Sequence, residues 1–136
     1  SSGEVSFENP VIDLNSNVTS TLLLLDYAYK TNCTKFIYAS SVSVYGEQLG
    51  KEQFSETDDL NPKSFYAVGK LASEHYLKIY KQQYGIDYTI LRYFNVYGIG
   101  QNFNNLKQGM VSIYLEQFLN TPQDIKVISE TEIDVR

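Results

Sequence analysis

Tyr66 and Lys70 are the residues of this sequence with the clearest capacity for chemistry. They lie four positions apart in Ser64–Glu74 (SFYAVGKLASE), a segment that we predict to be helical, so both side chains share one face. An ammonium beside a phenol favours the phenolate, so a tyrosine in this setting can act as a general base near neutral pH. With 12 tyrosines in 136 residues, about one such pair is expected by chance. The flanking segments must therefore decide whether the pair is catalytic.

Two segments flank this helix, and each is predicted to be a β-strand that ends in polar residues. Lys35–Gly46 (KFIYASSVSVYG) begins as an apolar run and breaks into hydroxyls, whereas Asp87–Gly98 (DYTILRYFNVYG) ends in a polar loop. Strand, helix and strand in this order build a parallel sheet, in which ligands bind beyond the carboxyl ends of the strands. We therefore predict one site that includes the residues at these ends: Ser40, Ser41, Ser43, Phe94 and Asn95.

Taken together, these segments resemble one known family. They are similar to the extended short-chain dehydrogenase/reductases, specifically the NAD-dependent epimerases and dehydratases of nucleotide sugars. The resemblance runs from about Asn9 to Arg136. The segments that carry it are Asn17–Thr21, Phe36–Gly46, Tyr66–Lys70 and Leu91–Asn95.

The resemblance implies NAD as the cofactor, a nucleotide sugar as the substrate, and a role for each matching residue. Tyr66 is then the catalytic base, Lys70 holds the nicotinamide ribose and tunes Tyr66, and Ser41 hydrogen-bonds the reacting sugar hydroxyl. The other implied contacts are with NAD, from Asn17, Ser40 and Phe94, and with the sugar nucleotide, from Ser43, Asn95 and Arg136.

Each of these assignments has a simpler structural alternative. Tyr66 and Lys70 could form a solvated surface pair, and a serine after the first strand could cap a turn. Asn95 could merely satisfy a turn. Arg136 is the last residue of the sequence, so nothing after it fixes its register.

The residues just after the first strand distinguish the reactions of the resembled family. By that resemblance, 4,6-dehydratases carry Thr-Asp-Glu here, because eliminating water requires a second acid and base. Sugar-acid decarboxylases keep the glutamate, and 3,5-epimerising enzymes carry a cysteine. This chain has Ser41-Val42-Ser43, with neither a carboxylate nor a thiol. We therefore expect only oxidation and reduction at a carbinol. This is the reaction of a nucleotide-sugar 4-epimerase, which acts through a transient 4-keto sugar, and a UDP-hexose is the first candidate substrate.

Two alternatives remain open. A nucleotide-sugar reductase or a 2-epimerase of the same family would use the same residues. A non-catalytic nucleotide-binding fragment is the other, because the glycine-rich G-x-G-x-x-G turn that binds dinucleotides does not occur in this chain. Under the resemblance that turn lies upstream, so we expect the isolated chain to be inactive and to bind NAD weakly or not at all.

The pattern of elements predicts an α/β fold. Under the resemblance it is a fragment of a doubly wound, Rossmann-type parallel sheet, with the C-terminal part of the NAD-binding domain over 1–97 and the start of a substrate-binding region over 98–136. The predicted helices span 9–30, 64–84 and 109–119, and the predicted strands span 35–40, 87–94 and 125–129.

Composition excludes several classes of partner. A net charge of −5 and a pI near 4.8 argue against nucleic-acid binding, and no apolar run is long enough to span a membrane. One histidine cannot assemble a metal site. The single cysteine, Cys33, fits a reducing compartment and is expected to be buried. We expect a cytoplasmic protein of carbohydrate metabolism, and the resemblance implies a full-length homodimer that serves cell-surface polysaccharide biosynthesis.

Overall fold

The computed structural model describes residues 3–48, 53–102 and 110–120. A π-helical turn over Asn15–Thr19 joins the second helix to the third, and a 3₁₀ turn over Val42–Val44 follows the first strand. The elements in chain order are α1 (Gly3–Glu8), α2 (Pro10–Leu14), α3 (Ser20–Lys30), β1 (Lys35–Ser41), α4 (Phe65–Tyr84), β2 (Asp87–Tyr93) and α5 (Met110–Asn120).

The two strands are parallel neighbours in one sheet, and α4 lies between them in the chain. Their register pairs Lys35 with Asp87 and Ser41 with Tyr93, so both carboxyl ends lie side by side, as the strand–helix–strand pattern predicted. Side chains from α3, β1 and α4 form the core between the sheet and the helices. Its buried centre is Leu25, Tyr38 and Leu77, with Phe36, Tyr76, Tyr80, Tyr88 and Ile90 packed against it.

Capping residues set the ends of the helices. The Ser64 hydroxyl accepts a hydrogen bond from the Ala67 amide at 3.1 Å. Gly85 ends α4 in the left-handed conformation, at φ 73°, which glycine adopts without strain. Asn9 caps α2, and its side chain accepts a hydrogen bond from the Ile12 amide at 3.0 Å. The predicted starts and stop of these helices are therefore confirmed.

The predicted helix over 9–30 is present, but it contains the π-helical turn. Inside that turn the Asn17 carbonyl accepts hydrogen bonds from the hydroxyls of Thr21, at 2.6 Å, and Ser73, at 3.1 Å. Hydroxyls inserted at a backbone carbonyl disturb the regular hydrogen-bond ladder of a helix. Turns of this kind are rare and often occur at functional sites.

The described residues form two compact units, one ending at Phe94 and the other beginning at Asn95. Helix α5 belongs to the second unit. The functional division into an NAD-binding part over 1–97 and a substrate-binding part over 98–136 stays a prediction. The predicted strand over 125–129 and Arg136 lie outside the described residues.

One expectation about the fold was wrong. Cys33 is exposed rather than buried, because it follows the turn at Asn32, which has a positive φ of 55°, and lies outside both α3 and β1. Its thiol lies 3.1 Å from the Lys35 carbonyl oxygen. In the part of the chain that the structure describes, no helix is both long and apolar enough to cross a membrane.

Candidate active site

Tyr66 and Lys70 lie in the first two turns of α4, against the carboxyl end of β1. The Lys70 ammonium donates a hydrogen bond to the Ala39 carbonyl oxygen at 3.0 Å. It lies 5.5 Å from the centre of the Tyr66 ring and 5.1 Å from the centre of the Tyr38 ring, both within cation–π distance. The structure therefore brings the Lys70 ammonium close to both the Tyr66 ring and the end of β1, and the catalytic role of the pair stays a prediction.

A carboxylate that the sequence analysis did not single out also acts on Lys70. Burial lowers the pKa of Lys70, while the negative charge of Asp13 opposes that shift. Asp13 is itself buried in α2, and its Oδ1 accepts a hydrogen bond from the Asn17 side-chain amide at 3.1 Å. A residue far away in sequence thus helps to keep the half-buried lysine charged.

The Asn17 side chain is engaged within its own helical segment. Its amide donates to the backbone carbonyl of Asp13 as well as to the Asp13 carboxylate, both at 3.1 Å. Gly69 of α4 faces this turn, and a Cβ there would make ordinary van der Waals contacts, 3.6 Å from Asn17 Cβ and 3.4 Å from a Val18 methyl. The structure shows Asn17 orienting Asp13, and its contact with NAD stays a prediction.

The serines at the end of β1 have different partners. Ser41 caps the 3₁₀ turn, since its hydroxyl accepts from the Ser43 amide at 3.2 Å and donates to the Ser43 hydroxyl at 3.0 Å. The Ser40 hydroxyl is buried and donates to Glu74 at 2.6 Å. Ser41 and Ser43 remain partly exposed. Ser41 thus caps a turn, as the structural alternative predicted. The ligand roles of all three serines stay predictions.

Glu74 and Arg92 form a buried ion pair that the sequence analysis missed. The guanidinium of Arg92, on β2, lies 2.7 Å from the Glu74 carboxylate, and the two side chains are 14% and 0% exposed. Burial raises the pKa of Glu74, but hydrogen bonds from Arg92 and Ser40 and the Arg92 charge outweigh it, so the pKa lies below its ordinary value. The signal was present in the sequence, because Glu74 follows Lys70 by four residues and therefore shares its face of α4.

The remaining predicted residues lie after β2. Phe94 is 59% exposed and lines a cavity of about 290 Å³ together with Tyr45 and Phe54. Asn95 is exposed and belongs to the second unit. Among the described residues, no group of three or more His, Cys, Asp or Glu side chains could hold a metal ion.

Comparison with known proteins defines the family. Residues 1–133 match the model of the NAD dependent epimerase/dehydratase family, and the chain belongs to this family. The UDP-glucose 4-epimerase of Mycolicibacterium smegmatis is 36% identical over 115 residues, which are 84% of this chain and 36% of that protein. The chain therefore spans little more than a third of that relative's length.

Solved structures confirm the predicted fold class, part of a Rossmann-type α/β domain. UDP-glucose 4-epimerase from Thermotoga maritima, solved with UDP-glucose, is 35% identical and superposes with a TM-score of 0.81. The UDP-glucose 4-epimerase of Thermus thermophilus, solved with NAD, is 40% identical and superposes with a TM-score of 0.80. In both comparisons the match covers 88% of this chain and 38% of the solved one.

Proposed function

We propose that the protein containing this chain is an NAD-dependent epimerase of a nucleotide sugar, with UDP-hexose 4-epimerisation as the first candidate reaction. The observation that carries this proposal is the Tyr66–Lys70 pair, anchored at the carboxyl end of β1 by the 3.0 Å hydrogen bond to Ala39. The family match and the two neighbours solved with UDP-glucose and with NAD support the substrate and cofactor classes.

The residues at this strand end fit the nicotinamide ribose of NAD. Lys70 gives one of its three N–H donors to Ala39, which leaves donors for ribose hydroxyls. Lys70 lies at the carboxyl end of a parallel strand, which is where such sheets bind their ligands. Bound NAD would supply hydride transfer. Asn17, Ser40 and Phe94 are the further NAD contacts that we propose.

Tyr66 provides the acid–base chemistry in this proposal. Tyr66 takes the proton of the sugar hydroxyl as the carbinol is oxidised to a ketone, and returns it to the ketone oxygen as the ketone is reduced from the opposite face. The Lys70 ammonium lies 5.5 Å from the centre of the Tyr66 ring. When substrate binds, the Ser41 hydroxyl turns its proton from Ser43 to the reacting oxygen. Ser43, Asn95 and Arg136 are proposed to bind the rest of the sugar nucleotide.

The segment after β1 favours epimerisation over loss of water. Elimination needs a second acid and base beside the sugar, and Val42–Val44 forms the 3₁₀ turn with only a hydroxyl, Ser43, as a polar side chain. The next carboxylate along the chain, Glu47, is exposed and follows Gly46. The resemblance to two solved UDP-glucose 4-epimerases favours epimerisation over reduction, 2-epimerisation and a non-catalytic role.

We also propose that the full-length protein is a cytoplasmic homodimer that supplies nucleotide sugars for cell-surface polysaccharides. Helix α3 presents Leu23, Leu24 and Tyr27 on one side, each more than half exposed. Contiguous exposed apolar surface of this kind marks interaction sites. The net charge of −5 makes nucleic acid an unsuitable partner.

The test of this function uses the full-length protein that contains this sequence. It is incubated with NAD and a panel of UDP-, dTDP-, CDP- and GDP-sugars, and the products are followed by NMR. We expect interconversion at C4 of a UDP-hexose or its N-acetyl form. A panel in which no sugar nucleotide changes would contradict the proposed function.

A further inference from the structure

Glu74 is an acidic residue buried at the side of the site, with no role so far in the chemistry. It lies eight residues after Tyr66 and four after Lys70 on α4, so the three side chains follow one another along one face. Its carboxylate is completely buried. A buried charge is expensive unless it is paired and hydrogen-bonded, so its partners indicate what it holds in place.

The Glu74 carboxylate binds both strands at their carboxyl ends. The Ser40 hydroxyl of β1 donates to Oε1 at 2.6 Å. The Arg92 guanidinium of β2 donates through Nε to Oε1 at 3.0 Å and through a terminal nitrogen to Oε2 at 2.7 Å. Ser40 and Arg92 are themselves a register pair of the sheet. One carboxylate on the helix therefore joins two directly paired strand residues.

Arg92 extends this network to the segment that follows β1. Its other terminal nitrogen donates to the Tyr45 hydroxyl at 2.9 Å and to the Glu56 carbonyl at 3.3 Å. The Tyr45 ring is buried and stacks on Phe54, with 4.9 Å between ring centres. The ion pair thus connects the helix, both strands and the loop beyond Ser41.

Two consecutive strand residues hold α4 in register with β1. Lys70 binds the carbonyl of Ala39, and Glu74 binds the hydroxyl of Ser40; the next residue is Ser41. These two hydrogen bonds, made by residues one helical turn apart, fix the position of the helix along the strand and its rotation about its own axis. A displacement of about 1 Å in a catalytic group can lower a rate 100-fold.

We propose that Glu74 is a positioning residue that, through Ser40 and Arg92, sets where Tyr66 and Lys70 stand relative to Ser41. This inference rests on the proposed function for its catalytic consequence. It predicts a larger effect on turnover than on substrate binding, because the Glu74 side chain is completely buried.

The first test compares two substitutions in the full-length protein. Glu74→Gln keeps the size of the side chain and removes its charge. Its matched control is Asp87→Asn, because the exposed Lys81–Asp87 pair, at 2.8 Å, joins the same helix to the same strand at the opposite end. We expect Glu74→Gln to lower kcat about 10-fold with KM changed less than about twofold, and Asp87→Asn to leave both unchanged.

The second test separates positioning from stability. A buried ion pair can often be replaced by apolar residues without loss of stability. The double variant Glu74→Met with Arg92→Met should therefore melt within about 3 °C of the unmutated protein. We expect kcat of this double variant to remain at least about 10-fold low. Recovery of kcat together with the melting temperature would overturn the proposal.

Hydrogen exchange supplies a readout that does not depend on turnover. We expect the backbone amides of 67–73 to exchange at least about 10-fold faster in Glu74→Gln than in Asp87→Asn. Equal exchange, an unchanged kcat, or a Glu74→Gln protein that does not fold would each overturn the positioning role. An unmutated protein without activity would instead refute the proposed function, and the exchange rates would still decide the role of Glu74.

Discussion

Tyr66 is the residue on which the proposed chemistry depends most directly. In the full-length protein, we expect Tyr66→Phe to lower kcat at least about 100-fold, because general base catalysis contributes about 10²- to 10⁴-fold. The affinity for the sugar nucleotide should change little, since the phenol is used mainly in the transition state. Steady-state kinetics and calorimetric binding measure the two quantities.

The matched control for this substitution is Tyr84→Phe. Tyr84 lies on the same helix, but its half-exposed ring packs on Tyr29 and Tyr80 at the far end. Its substitution should leave kcat within about twofold. Equal losses in the two variants would mean that the Tyr66 effect reflects the helix and not the base.

Glu74 makes the stability of the protein depend on pH. Its pKa in the folded protein lies below the ordinary 4.5, so the unfolded chain binds the proton more readily. The resulting stabilisation is complete above about pH 4.5 and is lost as the pH falls through the folded-state pKa. Urea unfolding from about pH 6 to 3 should therefore show a steeper loss of stability for the unmutated protein than for Glu74→Gln. Parallel curves would contradict this.

The positions of Tyr66 and Lys70 could be predicted from the sequence, because residue spacing and strand order determine them. Tyr66 and Lys70 share a face because α4 is regular, and their position at the strand end follows from the strand–helix–strand order. Asp13 and the Glu74–Arg92 pair were missed, because charged side chains are seldom fully buried. Only the three-dimensional packing shows which charges are buried.

At the scale of elements, Gly46 fixes the loop that leaves the site. It has a φ of 64°, and a Cβ there would lie 1.8 Å from the Asn61 carbonyl oxygen. We expect Gly46→Ala to lower the free energy of unfolding by more than about 2 kcal/mol, from backbone strain together with the clash. Urea unfolding of the full-length protein measures this loss.

Gly98→Ala is the matched control, since Gly98 has open space around its would-be Cβ and no positive φ. We expect a change within about 0.5 kcal/mol. If both variants lost the same stability, the close approach of Gly46 to Asn61 would not constrain the loop.

The regular elements were largely predictable, whereas their irregularities were not. Ser64 and Gly85 mark the ends of α4 through capping chemistry that is visible in the sequence. The π-helical turn was not predicted, because apolar periodicity averages over it. One hydroxyl that bonds its Asn17 carbonyl comes from Ser73, 56 residues away. Helix α1 was not predicted either.

At the scale of the whole molecule, the apolar side of α3 predicts the oligomeric state. Leu24 is 56% exposed, so Leu24→Glu should leave the fold intact and weaken the proposed homodimer by more than about 10-fold in Kd. Analytical ultracentrifugation measures the association. Gln83→Glu, which adds the same charge at an exposed polar position of α4, should not change it, and an unaffected dimer in Leu24→Glu would contradict this interface.

We propose that the site inverts a carbinol and does not eliminate water. The most direct measurement follows UDP-glucose labelled with deuterium at C4, incubated with NAD and the full-length protein, by mass spectrometry and NMR. We predict a C4 epimer of unchanged mass that retains the deuterium at C4, because the hydride is returned to the carbon that lost it. A product lighter by one water, with the deuterium no longer at C4, would contradict epimerisation.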